Sequence, residues 1–281
     1  LDDPRARTIA AYLAVVEEAL PRALILENVK GIAFSGKNEA LIFIKNGLEE
    51  INRRCGTSYA PQVISLNAAD YGVPQTRERI FVVASIDGSE FDLPPPTHGV
   101  SRATTPYLTT WDAIGHLDSE TWPDDLDLRG RWAGLLPSIP EGQNYLWHTP
   151  RNDASGSEPL FGWRTRYWSF LLKLSKEKPS WTIQAAPGPA TGPFHWRNRQ
   201  LSIEELCRLQ TFPEKYEILG ERRSAHRQIG NAVPSAIGEL FGLEIRRQLF
   251  GERVRRQLRL IPNRRTDRPG PEPVSVVQEH Y

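Results

Sequence analysis

The sequence predicts an α/β protein with a second domain of irregular build. An apolar run, Leu24-Ile25-Leu26, ends abruptly in the carboxylate of Glu27 and is entered from a helical stretch. That is the pattern of a strand whose carboxyl end presents a polar group at the top of an α/β sheet. A further helix and two more strand-like runs follow within the next sixty residues. Composition then changes at Pro94-Pro95-Pro96, and all eight tryptophans fall between Trp111 and Trp196 in a segment rich in Pro, Gly and Arg.

Each element has its own signal. Ile9, Tyr12, Leu13, Val16 and Leu20 recur at helical spacing, so residues 5–20 are expected as an amphipathic helix leading into a buried parallel strand over residues 23–26. A strand of that kind needs neighbours on both sides, which creates the expectation of upstream sequence or a partner chain. Leu41, Ile44, Leu48 and Ile51 define a second helix stopped by Cys55-Gly56, after which residues 62–66 and 80–85 read as strands. Gly72 and Pro74 break any helix between them, so Arg77 and Arg79 are expected on an ordered loop or at the start of the returning strand. Ser202 and Glu205 form a capping box that opens a helix running to Gln210. A last helix follows Pro234, with Ile237, Leu240, Phe241 and Ile245 on one face. The expected organisation is residues 1–93 as part of an α/β domain, 94–200 as a second domain, 201–250 as a segment returning to the first, and 251–281 as a basic, flexible tail.

Composition narrows the classes. Of the 281 residues 39% are hydrophobic and 25% charged, as in a soluble globular chain, and no apolar run is long enough for a membrane span. The acidic start Leu1-Asp2-Asp3 has none of the character of a secretory signal, so a cytoplasmic location is expected. Cys55 and Cys207 are isolated, without a Cys-x-x-Cys or a histidine pair at ligand spacing, and no metal site is expected. The net charge of +1 provides no global field for nucleic acid. Local charge is stronger: Arg253 to Arg268 holds seven arginines against one aspartate, which reads either as a phosphate-touching tail or as a solvated helix end.

Four short blocks stand in order along the chain: Glu27-Asn28-Val29, then Gln75-x-Arg77-x-Arg79, then Arg208-Leu-Gln-Thr-Phe-Pro213, then Gly230-Asn231-Ala232-Val233-Pro234. Each alone is weak, but the ordered set resembles the C5-cytosine DNA methyltransferase family, with Trp181-Thr-Ile-Gln184 as a further matching phrase. The resemblance covers about residues 1–249, and the variable middle fits the family's target-recognition domain. It implies part of a Rossmann-like, S-adenosylmethionine-dependent methyltransferase sheet with a smaller irregular domain, acting on double-stranded DNA.

The chemistry the resemblance implies explains the residue types. Carbon 5 of cytosine is a poor nucleophile, so a cysteine thiolate adds to C6 while a proton or hydrogen bond is held at N3, and the ring becomes an enamine able to attack the methyl group of S-adenosylmethionine. Glu27 matches the group at N3 and must carry a proton near neutral pH, which an apolar setting favours. Arg79 resembles the arginine that reaches the cytosine O2, and Arg77 its neighbour that orders the site, so the two are expected in separate roles. Asn231 and Val233 are the candidates for contact with S-adenosylmethionine, although an asparagine there also suits helix capping. Arg208 and Pro213 match a block that organises the recognition domain. Within the variable region Arg164, Arg166, Arg197 and Arg199, interleaved with aromatics, are the candidates for DNA contact, while most tryptophans are expected in the small-domain core.

The family's Pro-Cys nucleophile turn and glycine-rich cofactor loop have no counterpart in these residues. Cys55 follows Asn-Arg-Arg at a helix end and Cys207 sits inside the capped helix, so both read as ordinary packing residues. The sequence also contains no methionine, which adds to the expectation of a processed, truncated or split protein. The expected function is therefore base activation and target recognition in cytosine C5 methylation, inactive alone, with the cysteine supplied by an N-terminal portion or second subunit. The alternatives are a catalytically silent DNA-binding specificity or regulatory subunit, and a sister enzyme acting on RNA.

Overall fold

A computed structural model of the chain describes residues 4–29, 39–152, 158–262, 264 and 267–281. In chain order its regular elements are α1 (Pro4–Ala19), β1 (Ala23–Val29), α2 (Glu39–Cys55), β2 (Gln62–Asn67), β3 (Gln75–Thr76), β4 (Glu78–Ser85), α3 (Thr110–Ile114), β5 (Ser180–Trp181), α4 (Ile203–Leu209), α5 (Arg222–Asn231) and α6 (Ser235–Gln248). Two compact units result. Leu1–Ala68, Glu78–Pro96 and Ile237–Leu258 form one; Ala69–Arg77, Thr97–Ala236 and Arg259–Tyr281 form the other. This division differs from the one read from composition, because the stretch before Glu78, the segment from 201 to 236 and the final residues all belong to the second unit.

The first unit is built around β4, the middle strand of a sheet in the order β1-β4-β2 and antiparallel to both neighbours. The continuous apolar run of β4 follows from burial on two faces. Val82 and Ala84 pack with Leu13 and Val16 of α1 and with Ile44 and Leu48 of α2, whereas the ring of Phe81 lies 4.3 Å from that of Phe241 in α6. Alternation along a strand sends these neighbours to opposite sides, so helices cover both. α2 stops where Gly56 takes φ +69 and its amide donates to the Asn52 carbonyl at 2.9 Å, a left-handed cap that a side chain would strain.

One expectation is corrected here. The strand read as buried and parallel is, among the described residues, an edge strand antiparallel to β4, and it runs on to Val29 so that Glu27 lies within it. Leu24 is buried but Ile25 is 38% exposed. The short connection after β2 is the physical reason: it returns the chain directly, which makes an antiparallel neighbour, and β4 then separates β1 from β2.

The second unit has little regular structure and relies on two apolar clusters. One surrounds Trp111 and Trp196 with Ile114, Leu174, Ile183 and Ile229; the other gathers Leu135, Leu136, Tyr145, Phe161, Phe170 and Leu171. α4 opens with the expected capping box: the Glu205 amide donates to Ser202 Oγ at 3.1 Å, and the Ser202 amide donates to Glu205 Oε2 at 2.7 Å. The C-terminal residues, expected to form a flexible tail, are irregular in backbone but anchored. Lys176 Nζ bridges Glu141 and Glu272 at 2.8 Å each, the Ser275 amide donates to the Pro137 carbonyl, and the Tyr281 ring stacks on Trp132. Single anchoring residues of this kind leave no periodic trace in a sequence. Among the described residues no helix is long and apolar enough to cross a membrane.

Candidate active site

In the first unit the register of β1 and β4 sets Val29 opposite Arg79 and Glu27 opposite Phe81. Residues two apart on a strand share a face, so the Arg79 side chain reaches diagonally to Glu27, with Nε 2.8 Å from Oε1. Arg79 Nη1 donates to the Glu78 carbonyl at 2.7 Å, so two edges of the guanidinium are committed and its direction is set. Burial lowers the Arg79 pKa, and the Glu27 carboxylate opposes that shift. The setting of Glu27 differs from the apolar one expected from the sequence: its side chain is 26% exposed and faces a cation.

In the second unit Arg77 is fully buried and donates to backbone. Nη2 reaches the carbonyls of Gly230 and Ala232 at 2.8 and 2.9 Å, and Nη1 reaches that of Ile183 at 3.3 Å. Two buried glutamines extend the network. Gln75 Oε1 accepts from the Ile183 amide at 3.2 Å and its Nε2 donates to Gln210 Oε1 at 3.3 Å, while Gln210 Nε2 donates to the Ile229 carbonyl at 2.7 Å. Blocks that lie far apart in sequence thus meet at one buried polar centre. Gly230 makes the approach feasible, since a Cβ there would fall 2.5 Å from the Ala185 Cα. The two glutamines join the motifs at this buried centre, and their signal in the sequence is a pair of amides beside the motif arginines.

Positions two apart would send Arg77 and Arg79 to one face of a straight strand. They part because β3 ends at Thr76 and β4 begins at Glu78, with β3 paired in parallel to β5 rather than to the main sheet.

Residues 1–247 match the family described as C-5 cytosine-specific DNA methylase. The chain belongs to that family. It is 37% identical to the type II methyltransferase M.SacI of Streptomyces achromogenes over 88% of this chain and 65% of that protein, and 32% identical to M.NgoFVII of Neisseria gonorrhoeae over 83% and 61%. The chain therefore spans somewhat less than two thirds of the length of these curated relatives. A solved structure of a DNA modification methyltransferase encoded within a prophage (E. coli) shares the fold at a TM-score of 0.57 and 19% identity, covering 89% of this chain and 76% of that one.

Within this member of the methylase family the remaining candidates are placed as follows. Asn231 is the last residue of α5, not the start of α6, and its side chain is exposed; Val233 is half-buried in the turn that follows. Arg197 lies on Asp118 in a bidentate pair at 2.7 and 2.8 Å, and Arg199 is buried on Glu205 at 2.8 and 2.7 Å. The reading of Arg197 and Arg199 as DNA contacts is thereby corrected, because both guanidinium forks are filled by carboxylates that stabilise the fold. Arg164 and Arg166 are exposed. His195, between these pairs, accepts the Arg197 amide on Nδ1, and burial together with Arg199, Arg197 and Lys176 holds its pKa well below the usual histidine range. Cys207 is buried in α4 with its thiol pushed up by burial, and Cys55 packs at the end of α2 against the first unit's core.

Proposed function

We propose that this chain activates and recognises cytosine in duplex DNA for methylation at C5, with Glu27 as the group at N3 and Arg79 as the donor at O2. The observation that carries the proposal is the Glu27–Arg79 pair at 2.8 Å on adjacent strands. A carboxyl group and a guanidinium side by side present one proton carrier and one fixed donor, which is what the N3 and O2 edge of a flipped cytosine requires. Arg77 acts differently. It holds the carbonyls on either side of Asn231 and so positions that side chain without touching a substrate.

The family's cofactor is S-adenosylmethionine, which when bound supplies an electrophilic methyl group. Asn231 suits it: an exposed carboxamide both donates and accepts, and the carbonyls flanking it are held by Arg77. Val233, half-buried beside it, offers an apolar contact.

Glu27 holds a proton at N3 while a thiolate adds to C6, C5 gains the electron density to take a methyl group, and loss of the C5 proton then expels the thiolate and restores the ring. Neither cysteine here is placed for that attack, since Cys207 is buried in a helix and Cys55 belongs to a core cluster. The thiolate is therefore assigned to a Pro-Cys turn outside these residues, on an N-terminal portion or a second subunit. The test mixes this chain with a polypeptide that carries the turn and follows labelled methyl transfer into DNA. Transfer that Glu27→Gln removes supports the proposal; sequence-specific binding with no transfer under any pairing supports a specificity subunit instead.

A further inference from the structure

The tryptophans of the second unit do not all enter its core. Trp111 and Trp196 are buried, but Trp168 is 53% and Trp181 37% exposed, and their rings meet edge to face with centroids 5.4 Å apart. Trp181 stands on β5 opposite Thr76 of β3, one residue before Arg77, and the Thr182 hydroxyl donates to the Thr76 carbonyl at 2.8 Å. The pair therefore flanks the strand that leads into the arginine block. Its presentation is built rather than loose: Asn144 Nδ2 donates to the Trp168 carbonyl at 2.7 Å, and the hydroxyl of buried Tyr145 donates to the Arg166 carbonyl at 2.7 Å. Gln184 Nε2 reaches Ser169 Oγ at 2.8 Å and ties the segments of both tryptophans together.

The same exposed run carries cations. Arg164 and Arg166 precede Trp168, and Arg151 and Arg164 lie over the Trp163 ring at 4.4 and 5.5 Å. The two adjoining rings, part-exposed and held by these hydrogen bonds, offer an aromatic surface to solvent. Arginines beside such rings match a polyanion whose bases have aromatic faces.

We propose that Trp168 and Trp181 form a stacking platform for an unpaired base of DNA, with Arg164 and Arg166 holding the phosphates beside it. This rests on the DNA reading above and adds a task to it. Taking one base out of a duplex breaks stacking on both of its neighbours, and an aromatic surface on the recognition unit compensates for that loss.

The experiment measures binding of this chain to two labelled duplexes of equal length by fluorescence anisotropy, one fully paired and one with a short unpaired stretch. The unpaired duplex is expected to bind about tenfold tighter, the scale of one base stacked on one aromatic ring. Trp168→Ala with Trp181→Ala removes that preference and leaves the paired duplex within about twofold, whereas Trp168→Phe with Trp181→Phe retains it, which separates stacking from misfolding. Arg164→Ala with Arg166→Ala weakens both duplexes and lowers the salt dependence of binding. Equal binding of the two duplexes by the unaltered chain overturns the platform and leaves the methylation reading standing. Binding to neither overturns both.

Discussion

Arg79 Nε and Glu27 Oε1 are 2.8 Å apart across the β1–β4 pairing, although 52 residues separate them in the chain. The antiparallel register makes the contact, since it brings the position opposite Val29 within a diagonal of Glu27. Arg79→Ala is expected to lower methyl transfer by about a hundredfold or more, as for loss of one fixed donor at a developing charge. Because both side chains are partly solvated, the same change should cost only about 1 kcal/mol of stability. Single-turnover transfer and urea unfolding on the same variant check the two halves.

Arg77 gives the opposite split. Its guanidinium is buried on the carbonyls of Gly230, Ala232 and Ile183, so Arg77→Ala leaves dry acceptors, each costing roughly 1–3 kcal/mol. Urea unfolding should show a lowered midpoint. Lysine should rescue little, because one ammonium cannot reproduce a planar fork over three carbonyls.

His195 predicts an acid sensitivity with a definite sign. Its folded pKa is held below the usual value, so below about pH 6.5 the unfolded chain takes up a proton that the folded chain refuses. Stability is then present above that pH and lost as pH falls. Burial lowers His98, His148 and His226 in the same direction. The urea midpoint should decline from pH 7 to pH 5, and His195→Gln should flatten the decline whatever it does to the midpoint at pH 7.

The cysteines supply a negative control. Cys207→Ala and Cys55→Ser should leave methyl transfer in the mixed system within about twofold, since Cys207 is a buried thiol raised in pKa and Cys55 packs at the end of α2 against the first unit's core. A hundredfold loss from either, in a variant that still folds, would place the nucleophile inside this chain.

What the sequence revealed depended on distance along the chain. The capping box of Ser202 and Glu205 and the buried face of Ile44, Leu48 and Ile51 are local patterns and appear as read, whereas the run that carries Glu27 was legible as a strand but not in its direction, its edge position or its end at Val29. Asp118 lies 79 residues from Arg197, and no period or spacing signals that pairing. Arg199 was misread for a related reason: an arginine among aromatics looks the same whether a phosphate or Glu205 receives it. α5 was missed because its Arg-Arg-Ser-Ala-His-Arg-Gln sequence is polar, and only Ala225, Ile229 and Gly230 are buried. Gly230, inside this helix, serves close packing against Ala185, which its neighbours in sequence do not signal. The antiparallel order around β4 was likewise hidden, since two apolar runs do not disclose which will lie between the others.

The most direct measurement of the central claim is where the methyl group lands and whether Glu27 puts it there. This chain, combined with a polypeptide carrying the Pro-Cys turn, is incubated with methyl-labelled S-adenosylmethionine and duplex DNA, and the DNA is digested to nucleosides. The account predicts label in 5-methylcytosine alone, reduced at least about a hundredfold by Glu27→Gln in a chain that still folds and binds DNA. Label on an exocyclic nitrogen, or full transfer to C5 without the Glu27 carboxyl, would contradict it.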